Sequence, residues 1–210
     1  MKTGTPKTRR GRPARSDQQA AASRSLIVES ARKLFAEEGY EGVSMRKIAA
    51  IAQCSPAALY TLFPNKRQLL RGIWEELFSE LLVQLESAYA TSGTQYRVEA
   101  VCLAFVDFWL QRPDEFRAIF MIEDRLQGEQ DRYFVDSAQV LPRMAVLRRG
   151  ITEAQSRGEL RAGDPEEIQN VLLCGVQGIA VSLIAMPEFP WGDPDKLKRA
   201  TIRALVIGLR

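Results

Sequence analysis

Apolar residues recur every three or four positions over most of the chain, from about residue 24 to its end. This spacing places them on one face of a helix, whereas a strand would need strict alternation. The chain contains no long alternating run and no Asn-Gly or Asp-Gly hairpin turn. The pattern therefore predicts an all-α fold, with helices over residues 24–38, 45–52, 56–63, 66–90, 95–111, 114–126, 129–157, 165–185 and 195–209. Pro142 falls inside one of these segments and should kink or split it.

Capping residues mark the first three helices. Gly39 stands where a C-cap glycine belongs, after the first helix. Ser44 and Ser55 each precede a short apolar segment, and a serine side chain at the N-cap accepts a hydrogen bond from the backbone of the first turn. Pro56 occupies the first position of the third helix, where a missing N–H costs nothing. Two short helices joined by a tight turn predict a helix-turn-helix, with its recognition motif at about residues 44–63.

The net charge of +3 is distributed unevenly along the chain. Six cationic residues precede the first acidic one, and residues 17–73 hold eight cationic against five acidic residues. The remainder is acidic overall. A basic N-terminal third followed by an acidic remainder indicates that the basic end binds a polyanion, and DNA is the first candidate. A solvated basic tail is an equally good explanation of composition alone. The tail segment, residues 1–20, has almost no large apolar residue and is expected to be disordered, ahead of a DNA-binding domain (21–81) and a second helical domain (82–210).

Several functional classes are disfavoured by composition. Histidine is absent and the three cysteines are far apart, which argues against a transition-metal site and against a histidine-based catalytic triad. We therefore expect no enzyme activity and no cofactor. The odd cysteine count favours free thiols in the cytoplasm. No secretory signal and no membrane-spanning segment are predicted.

The residues of the N-terminal region are more specific than their spacing. The segments 24–35, 38–40, 43–49, 55–66 and 69–70 together resemble the TetR (tetracycline-repressor-like) family of transcriptional regulators. This resemblance covers about residues 21–81, and beyond them it extends only to the helical character of a variable ligand-binding and dimerisation region. It implies that DNA contacts come from the two short helices and the start of the fourth, at Ser44, Arg46, Ser55, Pro56, Ala57, Ala58, Tyr60, Thr61 and Lys66. Tyr60 would also pack and offer its hydroxyl to the DNA backbone, and Lys66 would meet a phosphate.

The chain departs from the family pattern in the recognition region. Gln53 stands where family members often have glycine, so a non-glycine residue must make the turn. Thr61 and Leu62 replace an aromatic residue and a histidine that many members carry, which weakens phosphate anchoring. Ala57 and Ala58 offer only apolar contact, which suits thymine methyl groups.

The basic tail contains the core of an AT-hook in Arg10-Gly11-Arg12-Pro13. A glycine lets the backbone lie deep in a narrow A·T minor groove, and Arg10 and Arg12 would follow its floor, where the potential is most negative. A merely solubilising tail is the alternative. Because the segment directly precedes a DNA-binding domain, we favour DNA contact.

An aromatic cluster is predicted over two helices of the second domain, at Phe105, Phe108, Trp109, Phe116, Phe120 and Met121. An ordinary core is the simpler interpretation. The functional interpretation is that these residues line an apolar cavity for an effector, and the family resemblance supports this interpretation.

The last two long helices carry stripes of apolar and small residues that predict a homodimer. Their members are Ile168, Val171, Leu172, Gly175, Ile179, Ser182 and Leu183, and then Leu197, Ala200, Thr201, Ala204, Leu205 and Gly208. Small residues allow close helix approach, and two helices from each subunit would form a four-helix interface. The alternative is that both stripes pack within one monomer.

These expectations combine into a regulator that binds a palindromic operator in double-stranded DNA as a homodimer and is released by a largely apolar small molecule. Repression is the favoured mode, although the position of an operator relative to its promoter, and not any residue, decides between repression and activation. An architectural DNA-binding protein without an effector is the alternative. A helical enzyme is a third class, for which no nucleophile–base pair is found.

Overall fold

The computed structural model describes residues 17–121 and 145–210. Over these residues it contains helices and no strand, which confirms the all-α prediction. The helices are α1 (Asp17–Gly42), α2 (Met45–Ile51), α3 (Pro56–Leu62), α4 (Lys66–Thr91), α5 (Arg97–Leu110), α6 (Pro113–Phe120), α7 (Ala145–Ser156), α8 (Pro165–Ala185) and α9 (Pro194–Gly208), with a 3-10 turn (Thr94–Tyr96) before α5.

Helix α1 begins at Asp17, seven residues before its predicted start. Residues 17–20, which the sequence analysis assigned to the tail, are therefore helical in this structure. This segment is rich in alanine and glutamine, which are strong helix formers, and the Ser23 hydroxyl donates a hydrogen bond to the Gln19 carbonyl (2.8 Å). Gly39, at φ 73° and ψ 162°, breaks the helix where the C-cap was predicted.

Helix α4 joins the two parts of the molecule. It packs against α1 in the first part and against α5 and α7 in the second. Helix α5 is the centre of the second part, because it also contacts α6, α8 and α9. Its buried side chains are Val98, Val101, Cys102, Phe105, Val106, Phe108 and Trp109. Because α4 also follows α3 directly in the chain, it connects the second part to the two short helices.

Helix α6 ends at Phe120, six residues before the predicted end, because the chain leaves helical geometry at Met121. Residues 122–144 lie outside the described residues, and so does the predicted kink at Pro142. The start of the predicted helix 129–157 lies there too, while its C-terminal part is observed as α7. Helices α8 and α9 match their predicted bounds to within one residue.

A buried lysine joins α5 to α9. Lys198 is only 6% exposed, and its ammonium group donates to the carboxylates of Asp107 and Asp195. Burial alone would lower the pKa of Lys198, but the two carboxylates outweigh it and hold the pKa above its ordinary value. The side chain therefore stays charged and fixes α9 against the central helix.

Helix α8 differs from the other helices in its composition. By length and hydropathy it is the one described helix that could cross a membrane, although only a third of its apolar window is buried in the fold. The sequence analysis predicted no segment that could span a membrane, whereas α8 meets the length and hydropathy criteria for one. Core helices and interface helices of globular proteins pass the same test, so composition alone does not assign α8 to a membrane.

Candidate DNA-binding surface and effector region

Serine caps fix the two short helices where they were predicted. The Ser44 hydroxyl oxygen accepts a hydrogen bond from the backbone N–H of Lys47 (3.2 Å), and that of Ser55 accepts one from Ala58 (3.1 Å). Both serines are exposed, and Pro56 occupies the first turn of α3 as expected. The caps hold the N-terminus of α3 at the protein surface, where its partial positive charge faces solvent.

The turn between α2 and α3 is a Schellman motif. The N–H of Gln53 donates to the Ala50 carbonyl (3.2 Å), and the N–H of Cys54 donates to the Ala49 carbonyl (3.0 Å). Gln53 itself adopts φ 51°, a left-handed conformation that glycine takes without cost and that few other residues take. Among the described residues it is the one non-glycine residue with positive φ.

Replacing Gln53 with glycine should therefore stabilise the protein. Relief of the left-handed strain, roughly 1–2 kcal/mol, exceeds the entropic cost of glycine, roughly 0.5–1 kcal/mol. We expect Tm to rise by about 2–3 °C in calorimetry, the shift typical of a chain this long. Gln53→Ala keeps the strained geometry and is the matched control, with no rise expected. A lower Tm for Gln53→Gly than for Gln53→Ala would contradict strain at this turn.

The outward face of α3 offers few hydrogen-bond donors. Pro56, Ala57 and Thr61 are exposed and Ala58 is half-buried, so this face is mostly methyl and methylene groups. The Thr61 hydroxyl already donates to the Ala57 carbonyl (2.8 Å). Tyr60 is 47% exposed, so the expected packing of its ring is only partial.

Two basic residues of α2 have different surroundings. Arg46 is exposed and forms no ion pair with any described residue. Lys47, which the sequence analysis did not assign to DNA, is held by the Glu38 carboxylate. The structure thus leaves Arg46 available to a phosphate and ties its neighbour to α1.

Lys66 lies at the start of α4, as predicted, but is half-buried. Its ammonium nitrogen is 4.1 Å from the centre of the Tyr40 ring, a cation–π contact. Burial lowers the pKa of Lys66, and the nearby charge of Glu41 acts in the opposite direction. The ring therefore positions the side chain beside the N-terminus of α4, which Asn65 caps by accepting from the Gln68 backbone (2.8 Å).

The remaining predicted DNA contacts, Arg10 and Arg12, lie outside the described residues.

The predicted aromatic residues form one packed cluster around Trp109. This side chain is fully buried, and four of the predicted rings surround its indole at centroid distances of 5.0–6.4 Å. Phe78, on α4, completes the cluster at 6.0 Å and was not predicted. Phe120 is half-buried, whereas Met121 is 42% exposed. The cluster is therefore the core of the second part in this conformation, and its role as an effector site stays a prediction.

One polar atom of this cluster is unsatisfied. The indole nitrogen of Trp109 is buried, and no described residue accepts a hydrogen bond from it. A buried donor without an acceptor costs roughly 1–3 kcal/mol, so such groups usually have a structural or functional explanation.

An ion-pair network that the sequence did not suggest connects the first helix to the aromatic region. Arg32, on α1, donates to the carboxylates of Glu80 on α4 (3.1 Å) and Glu115 on α6 (3.3 Å). Arg112, at the start of α6, reaches the second oxygen of Glu80 (3.4 Å). We call these four side chains the Arg32 network. It spans three helices that are distant in sequence, so no local pattern could have indicated it.

The predicted dimer stripes divide between the interior and the surface. Ile168, Leu172 and Ile179 are buried within the protomer, as the alternative interpretation expected for part of the stripe. Val171, Ala200 and Ala204 of the predicted stripes are exposed instead. Together with three further exposed residues they form a surface on the outer side of α8 and α9 that we call the α8–α9 face. Its members are Val171, Cys174, Gly178, Ala200, Ala204 and Ile207. Close packing of Gly175 against Leu205 brings the two helices together, so the two halves of this face adjoin.

The family model "Bacterial regulatory proteins, tetR family" matches residues 27–73. These residues contain α2, α3 and the start of α4, with both serine caps. Residues 27–73 therefore carry a DNA-binding domain of the TetR type. The match confirms the resemblance on which the DNA-contact predictions rest, although the model does not cover the second part of the chain.

Some curated relatives align only with the N-terminal part of the chain, and others align with most of it. An uncharacterized HTH-type transcriptional regulator of Bacillus subtilis, YuxN, is 33% identical over 82 residues, which are 37% of this chain and 28% of that protein. The chain thus aligns with less than a third of this relative. The nucleoid occlusion factor SlmA of Citrobacter koseri is 27% identical over 180 residues, which are 82% of this chain and 87% of SlmA.

Solved structures support the fold over nearly the whole chain. The transcriptional regulator FadR of Bacillus subtilis, solved in complex with stearoyl-CoA, superposes with a TM-score of 0.71 at 17% identity. The superposition covers 89% of this chain and 99% of FadR. The shared fold therefore includes the second part of the chain.

Proposed function

We propose that this protein is a transcriptional regulator of the TetR family that binds a palindromic operator as a homodimer. The observation that carries the proposal is the exposed, serine-capped α3 on a helix-turn-helix whose sequence matches the family model. The N-terminal turn of α3 enters the major groove of double-stranded DNA. Repression follows where the operator overlaps a promoter, and the site of action is the cytoplasm, where chromosomal DNA is accessible.

DNA binding combines three kinds of contact: to phosphates, to thymine methyl groups and through side-chain hydroxyl groups. Ser44, Arg46 and Lys66 meet phosphates, which set affinity and orientation. Pro56, Ala57 and Ala58 offer methyl and methylene groups to thymine methyls in the major groove. Ser55, Tyr60 and Thr61 supply the hydroxyl groups of this surface. Because α3 has few donors, sequence preference comes in large part from apolar contacts and DNA shape.

Selection of bound duplexes from a random library tests this function. We expect an inverted repeat whose half-sites are centred about one helical turn apart, roughly 34–36 Å. Ala57→Glu places a negative charge against the DNA and should abolish enrichment, whereas Val83→Glu, on an exposed part of α4, should leave it intact. Enrichment of a non-repeated site would contradict binding as a symmetric dimer.

A second candidate is a DNA-binding protein that needs no effector and does not regulate a single promoter. Its support is the likeness to SlmA, a nucleoid occlusion factor, over most of both chains. The same selection, followed by mapping of bound chromosomal sites, separates the candidates. One or a few promoter-proximal palindromes favour the regulator, and many dispersed sites favour the second candidate.

We further propose that an apolar small molecule with one hydrogen-bond acceptor releases the protein from DNA. The aromatic cluster offers a large apolar surface, and the buried indole N–H of Trp109 supplies a donor that a ligand acceptor would satisfy. FadR, which shares the fold, was solved with stearoyl-CoA, a ligand with a long apolar chain. Here Phe105, Phe108, Phe116, Phe120 and Met121 would separate to admit the ligand.

The Arg32 network offers a route from this cluster to DNA. A ligand that moves α6 would pull Glu115 away from Arg32 and shift α1 relative to α4. A small pivot of α4 changes the spacing of the two α3 helices, which must match the DNA repeat. Release requires that the ligand bind the DNA-incompetent arrangement more tightly than the competent one.

Trp109→Phe tests the ligand proposal with little change in packing. The variant keeps an aromatic ring but removes the N–H, so it should fold and bind operator normally while releasing it only at a ligand concentration about tenfold higher or more. The measurement is operator fluorescence anisotropy during titration with ligands found by a release screen. Phe35→Leu, in the core of the first part, is the control for general destabilisation. Unchanged release by Trp109→Phe would place the effector elsewhere.

A further inference from the structure

A cavity lies in the second part of the molecule, and none of its lining residues belongs to α2 or α3. It is a cleft of about 610 Å³ between the 3-10 turn, the start of α5, the loop after α7 and the last turns of α9. Its volume is within the range of small-molecule sites, roughly 300–1,000 Å³. None of its lining residues belongs to the aromatic cluster.

The floor of the cleft is apolar. It consists of the buried side chains of Val98, Ala154, Leu160 and Val206. Leu160 is held there because the N–H of the next residue, Arg161, donates to the Leu209 carbonyl (2.8 Å) and so ties the loop to the end of α9. The floor is therefore built from four separate segments that are fixed relative to one another.

The rim is charged, with an excess of one positive charge. Arg157 and Glu159 neutralise each other through two hydrogen bonds of 2.8–2.9 Å, and Arg157 also donates to the Thr94 carbonyl. Arg203 and Arg210 also line the cleft, and neither forms an ion pair with a described residue. Glu99 is the one acidic residue of the rim that Arg157 does not hold.

We propose that this cleft binds a small amphipathic monocarboxylate. The apolar group of the ligand lies on the floor formed by Val98, Leu160 and Val206, and its carboxylate is held at the rim by Arg203, with Arg210 beside it. A guanidinium group binds a carboxylate through two parallel hydrogen bonds, which explains why an arginine at the edge of an apolar floor selects this class of ligand. One carboxylate matches the single excess positive charge of the rim, whereas a neutral ligand would gain no ion pair with Arg203.

Titration of the full chain with benzoate, followed by NMR of backbone amides, tests the proposal. Benzoate has the required apolar ring and single carboxylate, and benzamide is its neutral isostere. We expect benzoate to shift the amide signals of Tyr96, Leu160 and Val206 with a dissociation constant of about 1 mM or lower. Benzamide should bind at least tenfold more weakly.

A matched pair of arginine variants identifies the anchor. Arg203→Gln should weaken benzoate binding at least tenfold, whereas Arg199→Gln, one turn earlier on the exposed side of α9 and outside the cleft, should change it less than twofold. Thermal unfolding of both variants checks that the fold is intact. The test is independent of DNA binding, so it stands apart from the function proposed above.

Three results would overturn the proposal. The first is the absence of benzoate-dependent shifts at the cleft residues, and the second is equal binding of benzoate and benzamide. The third is an equal effect of Arg203→Gln and Arg199→Gln, which would reduce the interaction to general attraction by a basic surface.

Discussion

Replacing Val171 and Ala204 together with glutamate should convert the protein to a monomer and weaken operator binding by about 10²–10⁴-fold. Both residues are exposed on the α8–α9 face, which is apolar and uncharged at these positions. In a two-fold interface each glutamate is buried near its symmetry mates, and burying such charges without partners is strongly unfavourable. A monomer binds one half-site and loses the gain from linked binding, which commonly amounts to 10²–10⁴-fold.

Light scattering after gel filtration and anisotropy with the selected operator measure the two effects. Val83→Glu is the control, because Val83 is 72% exposed on α4 and lies outside the face. It should leave both mass and affinity unchanged. A dimeric Val171→Glu/Ala204→Glu variant with normal affinity would show that the subunits associate through another surface.

Cysteine reactivity supplies an independent measure of the same interface. Cys174 is exposed on the α8–α9 face of the protomer, while burial raises the pKa of Cys102 to about 12 and leaves it almost no thiolate. In the dimer Cys174 should react slowly with a thiol reagent. In the Val171→Glu/Ala204→Glu variant it should react as a solvent-exposed thiol, and Cys174→Ser identifies the signal.

Local sequence signals were sufficient for the helix-turn-helix. Ser44, Ser55 and Pro56 act within one turn of where they stand, so their capping roles were predicted correctly from their order alone. Gln53 was likewise expected to make an unusual turn, and its positive φ confirms this. Where a side chain acts on its own backbone, the sequence carries the information.

Tertiary contacts limited the prediction elsewhere. Leu172 and Val171 are adjacent apolar residues of α8, and the sequence placed both on the dimer stripe, whereas Leu172 is buried in the protomer and Val171 is 45% exposed. The half-burial of Lys66 depends on the Tyr40 ring, which reaches it from the end of α1. The start of α1 was missed for the opposite reason. Gln19, Ala21 and Ala22 are exposed, so helix propensity and not an apolar pattern accounts for this part of the helix.

A double substitution in the basic tail should separate a minor-groove contact from simple charge. Arg10→Ala/Arg12→Ala removes the two arginines of the AT-hook core, and Lys2→Ala/Lys7→Ala removes the same charge outside it. If Arg10 and Arg12 insert into the minor groove, the first variant should bind an operator with A·T-rich flanks about 10–100-fold more weakly. The second should lose only a few-fold.

The dependence of affinity on salt and on flanking sequence decides between the two roles. Each lost phosphate contact lowers the slope of log affinity against log salt by about 0.9, so both variants flatten the slope if the tail follows the backbone. Only the arginine variant should also lose the preference for A·T over G·C flanks, because G·C pairs place an amino group in the minor groove. If both variants lose the same affinity and keep the preference for A·T flanks, the tail contributes to DNA binding only through its charge. Unchanged affinity and slope in both would show that the tail takes no part in DNA binding.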